Sequence, residues 1–263
     1  MVNARFIQKI ITAILISVTV IAIGMKTAQA ASPTAKAPRW AQLARQVGSA
    51  ETGREKIIKE LRKIKNLEQT LVDALGTKHR SLALDVIAAL HLESLVLPLL
   101  DGIESDRDGF LVLTLNSLLN SENKELILTE YADKLGPEER DRYSPAAVVA
   151  MLEPLGRLGV HLPVDTVSSL LQHPFPEVGS AALGYIRAVA SKGKAEDASS
   201  LIALGFDANS FQLRLQAIAL ASELSRKGKA TFRKKTLTSL CDKETHATVK
   251  SHCFSLVRWK EAK

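Results

Sequence analysis

Beyond residue 163 the apolar positions of this chain return at helical spacing, break off, and return again. After HPFPE, Val178, Ala182, Leu183 and Ile186 lie on one face of a 3.6-residue period. The same offsets fall on Leu213, Ala217, Ile218 and Ala221 after the turn FDANS, and on Val249, Cys253, Phe254 and Val257 after the turn DKETH. These units stand 35 and then 36 residues apart. Upstream the register is looser: Leu82, Val86, Ile87 and Leu90 fit it, while helices near Phe110 to Leu118 and Ala147 to Leu155 carry less regular polar exceptions. Each unit is preceded by another apolar helix, over Leu92 to Leu100, Leu126 to Leu135, Val164 to Leu171, Ala198 to Leu204 and Phe232 to Leu240. No run alternates for long, and leucine and alanine outnumber β-branched residues in the apolar stretches, which argues against strands.

The breaks have a local cause. Pro174 and Pro176 lack a backbone N–H, and each pushes the residue before it, His173 or Phe175, toward extended geometry. One helix therefore ends near Gln172. Pro176 suits the first position of the next helix, where its missing donor would have had no partner, and Glu177 suits that helix's positive end.

Paired helices at this interval predict an all-α chain, an α-solenoid of stacked antiparallel hairpins with about six units. One hairpin cannot bury its apolar face alone and must stack on neighbours. The competing reading is an irregular helical bundle. In these residues the chain resembles the HEAT-repeat family, whose second helix opens with a Val-Arg-like pair followed by small and apolar residues. Leu213-Arg214 with Ala217, and Val249-Lys250 with Cys253, are similar to it, and Pro98 resembles the proline common in the first helix. The resemblance covers roughly residues 50 to 260. It implies a ladder of turn acids and helix-opening bases along the stack, with Asp106, Asp207, Arg214, Asp242 and Lys250 as its members here. Gly179, Ala83 and Val112 depart from the pattern, standing at or beside places where a basic residue is expected. The resemblance implies an architecture and no activity.

The N-terminus changes the picture of where the protein works. Arg5 and Lys9 precede an apolar run from Ile10 to Gly24, and the sequence Ala28-Gln29-Ala30 follows. That is the order of a Sec-type signal peptide over residues 1–30, with cleavage between Ala30 and Ala31. The run is shorter than the roughly 20 apolar residues a membrane span requires. The chain then divides into this signal, a loose leader over residues 31–38 (ASPTAKAP), and a helical repeat domain over residues 39–263. Removing Arg5, Lys9 and Lys26 from the 35 basic groups leaves 32 against 28 acidic ones. The mature charge is mild, which speaks against a nucleic-acid partner. Trp40 and Trp259 lie at opposite ends of the chain and form no aromatic platform by position.

Candidate chemistry is sparse. Cys241 and Cys253 are the only cysteines, and by the repeat reading they sit on opposing helices of the last hairpin. Three readings stay open for them: a disulfide, as an oxidising compartment allows, two buried thiols, or a metal site with His246 and His252. Basic residues bunch at Arg226, Lys227, Lys229, Arg233, Lys234 and Lys235, either as a contact for an anionic partner or as a solvated turn complementing a helix C-terminus. In REKIIKELRKIK, Ile57, Leu61 and Ile64 are expected to face inward. The motifs G-x-S-x-G, H-E-x-x-H, the P-loop and paired C-x-x-C are absent. Ser121-Glu122-Asn123-Lys124 matches S-x-x-K but reads as a helix start capped by Ser121. The six histidines are scattered.

These observations predict a periplasmic or secreted binding or scaffold protein, without catalytic residues, metal or cofactor. It recognises a macromolecular partner, a protein rather than a nucleic acid, along the solenoid surface, and meets the membrane only in transit through its leader. The oligomeric state is left open. The alternatives are an exported enzyme with an unrecognised groove site and an envelope component anchored by an uncleaved leader.

Overall fold

Fourteen α-helices follow one another in the computed structural model, which describes residues 37–49, 54–193 and 195–261, and no strand occurs among them. The signal peptide expected over residues 1–30, its Ala30–Ala31 junction and the leader as far as residue 36 lie outside the described residues. The helices are α1 (Arg39–Ser49), α2 (Arg54–Arg62), α3 (Leu67–Leu75), α4 (Arg80–Leu90), α5 (Val96–Asp101), α6 (Phe110–Leu118) and α7 (Lys124–Lys134). They continue as α8 (Pro145–Leu158), α9 (Val164–Leu171), α10 (Pro176–Ala190), α11 (Ala195–Leu204), α12 (Phe211–Arg226), α13 (Lys234–Lys243) and α14 (Ala247–Glu261).

The proline joint folds as its missing donors dictate. α9 ends before Gln172, Phe175 is extended (φ −92°, ψ 115°), and Pro176 takes the first turn of α10. Elsewhere other devices turn the chain. Gly109 precedes α6 at φ 77°, in the left-handed region that favours glycine, and a Cβ there would meet the Ala146 main chain at 3.0 Å. Ser144 caps α8 by accepting the Ala147 N–H at 3.1 Å.

Helices neighbouring in sequence pack on one another. From α3 onward they form pairs, α3 on α4, α5 on α6, α7 on α8, α9 on α10, α11 on α12 and α13 on α14. The second members also touch in succession, α4 to α6, α6 to α8, α8 to α10, α10 to α12 and α12 to α14. α1 packs against α2 and α4 at the start, and Arg39–Lys263 forms one compact unit. A single apolar core runs through it. The expected inward positions Val178, Ala182, Leu183, Ile186, Leu213, Ala217, Ile218, Ala221, Val249 and Val257 are all buried.

Close approach explains one departure from the repeat pattern. A Cβ on Gly179 would run into Leu213 Cδ1, so a side chain in the first turn of the next second helix fills the space a basic residue would need. Other positions differ from expectation. Leu82 is half-buried and Ala83 takes the buried place beside it, Phe254 is half-buried, and Ile57 and Ile64 flank a fully buried Leu61. The helix expected from Leu92 begins as a 3-10 turn over Glu93–Leu95, and Phe232 is buried ahead of α13 rather than within it. Ser121 is not the cap of α7. The capping residue is Asn123, and the Asn120 side chain organises the turn by accepting the N–H groups of Glu122 and Asn123 at 2.8 and 3.0 Å. A carboxamide oxygen competes well with a hydroxyl for such donors.

Candidate interaction surface

The turns inside successive helix pairs are tied to one another by side chains. Asp106, between α5 and α6, is only 1% exposed. Its Oδ1 accepts from Arg80 Nη2 at 2.6 Å and from the Leu111 N–H at 3.2 Å, and its Oδ2 accepts from the Val112 N–H at 3.0 Å. A buried carboxylate needs such donors, because its charge would otherwise be driven out of the interior. Arg80 Nη1 also reaches Asp108 Oδ1 at 3.2 Å, and the Ser144 hydroxyl donates to the Asp106 carbonyl at 2.5 Å. Asp106 thus joins three consecutive pairs, through Arg80 of α4, its own turn, and the cap of α8.

The same edge continues toward the C-terminus. Gln172 Nε2 donates to the Asp207 carbonyl, and Asn209 Nδ2 donates to the Gln172 carbonyl at 3.1 Å. Arg214 on α12 pairs with Glu244 in the turn between α13 and α14, and Lys250 Nζ donates to the Asp242 carbonyl at 3.3 Å. The hydrogen bond from Arg214 holds the Glu244 carboxyl below its ordinary range; partial burial opposes the shift, and the N–H groups of His246 and Thr245 assist it. Among the five expected ladder residues, Asp106 and Arg214 form ion pairs, with Arg80 and Glu244. Asp207 and Asp242 accept through their main-chain carbonyls instead. Arg80 and Glu244 escaped the sequence reading although both carried a signal: Arg80 opens α4 much as Arg214 lies in the first turn of α12, and Glu244 shares the turn of Asp242.

A different surface is formed by the second helices. Valleys open between α4 and α6, between α8 and α10, and between α12 and α14, of about 280, 510 and 610 Å³. In the first, Phe110 and Leu113 are 45% and 52% exposed, facing Ser81, Asp85 and Ala88. In the second, Val149, Leu152, Ala181 and Tyr185 make the floor, and nothing lies within 4 Å of where a Cβ on Gly184 would stand. The Tyr185 hydroxyl accepts the Leu162 N–H at 2.7 Å and donates to the Val160 carbonyl at 2.9 Å, which pins the loop between α8 and α9 to α10. The third valley has Leu215, Ile218, Ala219 and Leu256 in its floor and Glu223, Arg226, Lys227 and His252 along it.

The run of basic residues, continuous in sequence, is divided in space. Arg226 ends α12 and, with Lys227, borders the α12/α14 valley, whereas Lys234 and Lys235 open α13 and line a separate shallow depression with Thr238, Ser239, Asp242 and Lys243. Lys229 lies in the connection and Arg233 is the capping residue of α13. Complementing a helix C-terminus accounts for Arg226. It does not account for Lys234 and Lys235, which sit at the positive end of α13.

Cys241 on α13 and Cys253 on α14 form a disulfide, Cα to Cα 5.5 Å, with both residues buried. This closes the buried-thiol and metal readings of the pair. Among the described residues no group of three or more His, Cys, Asp and Glu is placed to hold a metal ion, and no helix is long and apolar enough to cross a membrane. The histidines remain apart. His173 is buried, its Nδ1 accepts the Phe175 N–H at 3.2 Å, and burial holds its imidazole below the ordinary range. His246 stacks on Phe211 with ring centres 4.3 Å apart. Comparison with protein-family models, with curated proteins and with solved structures gives no match to this chain.

Proposed function

We propose that this chain is an exported HEAT-like α-solenoid of about six stacked antiparallel hairpins that binds a protein partner along the surface made by its second helices. The observation carrying this reading is the placement of the valleys: three open between successive second helices, with apolar floors, on the face that repeats from pair to pair. A surface assembled from many repeats suits an extended partner, and the binding energy is then spread over many modest contacts. A periplasmic or secreted location is supported by the order of charge, apolar run and small residues in the leader, and by the disulfide, which is rare in reducing compartments.

Photo-crosslinking amino acids placed singly at Leu113, Gly184 and Ala219 test the reading, with Ser239 in the α13 depression as the comparison. All four positions are exposed. In envelope or culture-fluid preparations, the three valley positions should capture one common protein and Ser239 should not. The binding reading falls if the four positions capture indistinguishable mixtures. It falls also if a single alanine change at an exposed residue abolishes a turnover reaction while helical signal and thermal stability are retained.

A further inference from the structure

The three valleys differ in charge. Asp85 is the ionisable lining residue of the α4/α6 valley. In the α8/α10 valley, Glu153 and Arg157 neutralise each other at 3.0 Å. The α12/α14 valley is cationic: Arg226 and Lys227 line it, and Arg258 meets its wall through the Ser255 hydroxyl at 3.5 Å. The acid there, Glu223, is held from two sides, by Arg187 Nη2 at 3.0 Å and Lys227 Nζ at 2.7 Å, and these cations keep its carboxyl below the ordinary range. Among the described residues, positive charge therefore exceeds negative around an apolar floor, at one end of a face whose other valleys are balanced or acidic.

The floor has a helical grain. Leu215, Ile218, Ala219 and Ser222 recur at three- and four-residue steps on α12, opposite His252, Ser255 and Leu256 on α14. Two adjacent helices with such ridges leave a groove into which the ridge of a third helix fits. Small Ala219 and Ser222 allow it to approach closely. An apolar floor of this form, lined among the described residues by no Phe, Tyr or Trp side chain, favours a peptide over a nucleic acid.

Resting on the binding reading above, we propose that the α12/α14 valley takes an acidic amphipathic helix of the protein partner. Its apolar stripe lies on Leu215, Ile218, Ala219 and Leu256, and its carboxylates face Arg226, Lys227 and Arg258. Attraction between the rim and the helix steers the encounter, and the buried apolar stripe supplies contact area.

The test uses the mature chain and a fluorescent synthetic peptide of about 18 residues, long enough for five helical turns, with leucines at helical spacing and glutamates on the flanks. A second peptide replaces the glutamates by lysines, and phosphatidylglycerol vesicles form a third arm. The glutamate peptide should bind saturably and lose affinity by about tenfold or more on going from low salt to about 0.5 M salt; the lysine peptide should not bind. Ala219→Trp fills the exposed floor and should abolish binding. The pair Arg226→Glu and Lys227→Glu should weaken it by about tenfold or more. Ser239→Trp should leave it unchanged. Thermal unfolding shows that each variant is folded. Equal binding of both peptides, no binding of the glutamate peptide, or indifference to Ala219→Trp overturns the proposal. So does vesicle binding that Ala219→Trp removes while the glutamate peptide fails to compete, which assigns the valley to anionic lipid. If crosslinking from Leu113, Gly184 and Ala219 still captures a common protein, the binding reading survives such a failure; if both experiments fail, it does not.

Discussion

Arg214 and Glu244, thirty residues apart, are joined by two hydrogen bonds, Nε to Oε2 at 2.7 Å and Nη2 to Oε1 at 3.1 Å. The remaining nitrogen of the guanidinium, Nη1, donates to the carbonyls of Ala208 and Asn209 at 2.9 and 3.1 Å. One planar fork thereby ties the turn ahead of α12 to the turn ahead of α14, a task for which arginine's fixed geometry suits it better than lysine.

The Glu244 carboxyl should make stability depend on pH. Its folded value lies below the ordinary 4.5, so its contribution is fully present above the unfolded value and is lost as pH falls through the folded one. Melting temperatures of the parent and Glu244→Gln proteins, compared from neutral pH to about pH 3, should differ most at neutral pH and converge in acid. A gap that stays constant or widens in acid would show that Glu244 contributes no such linkage.

Asp106 should be the costliest acid to remove. Asp106→Ala leaves Arg80 and two main-chain N–H groups without their carboxylate in a buried site, a loss of about 3–5 kcal/mol. Asp108→Ala removes the more exposed contact of the same arginine and should cost under about 1 kcal/mol. Urea denaturation of both variants measures the difference, and equal losses would contradict the burial argument.

Thiol labelling of denatured but unreduced protein should find Cys241 and Cys253 inaccessible. Reduction, or replacement by Cys241→Ala with Cys253→Val, should lower stability by about 3 kcal/mol, the scale for a loop of this length. Two reactive thiols in the exported protein would refute the pairing.

Two glycines should respond oppositely to alanine. At Gly205 a new Cβ would stand 2.6 Å from Ala217 Cβ, so Gly205→Ala should destabilise by about 1–3 kcal/mol. At Gly184 nothing lies within 4 Å, and Gly184→Ala on α10 should stabilise by up to about 1 kcal/mol. The signs of the two shifts in denaturation midpoint decide the matter.

Helix identity, the proline joint at residues 174–176 and the inward positions of α10, α12 and, Phe254 apart, α14 were determined by the sequence alone. Backbone donors and a 3.6-residue apolar period are local properties, and a residue carries them wherever its helix is placed. The sequence also brought Cys241 and Cys253 to facing helices. It left open whether they join, since that depends on two Cβ vectors converging, which only the packing of α13 on α14 decided. The polar contacts needed the tertiary structure most. The resemblance singled out Asp106 and Arg214, but nothing in the spacing named Arg80 and Glu244 as their partners, because the partnership is created when neighbouring turns come into register. For the same reason Arg226 and Lys227 part from Lys234 and Lys235. Charges adjacent along the chain are carried to separate surfaces by the reversal between α12 and α13, and the field a partner meets depends on position in space.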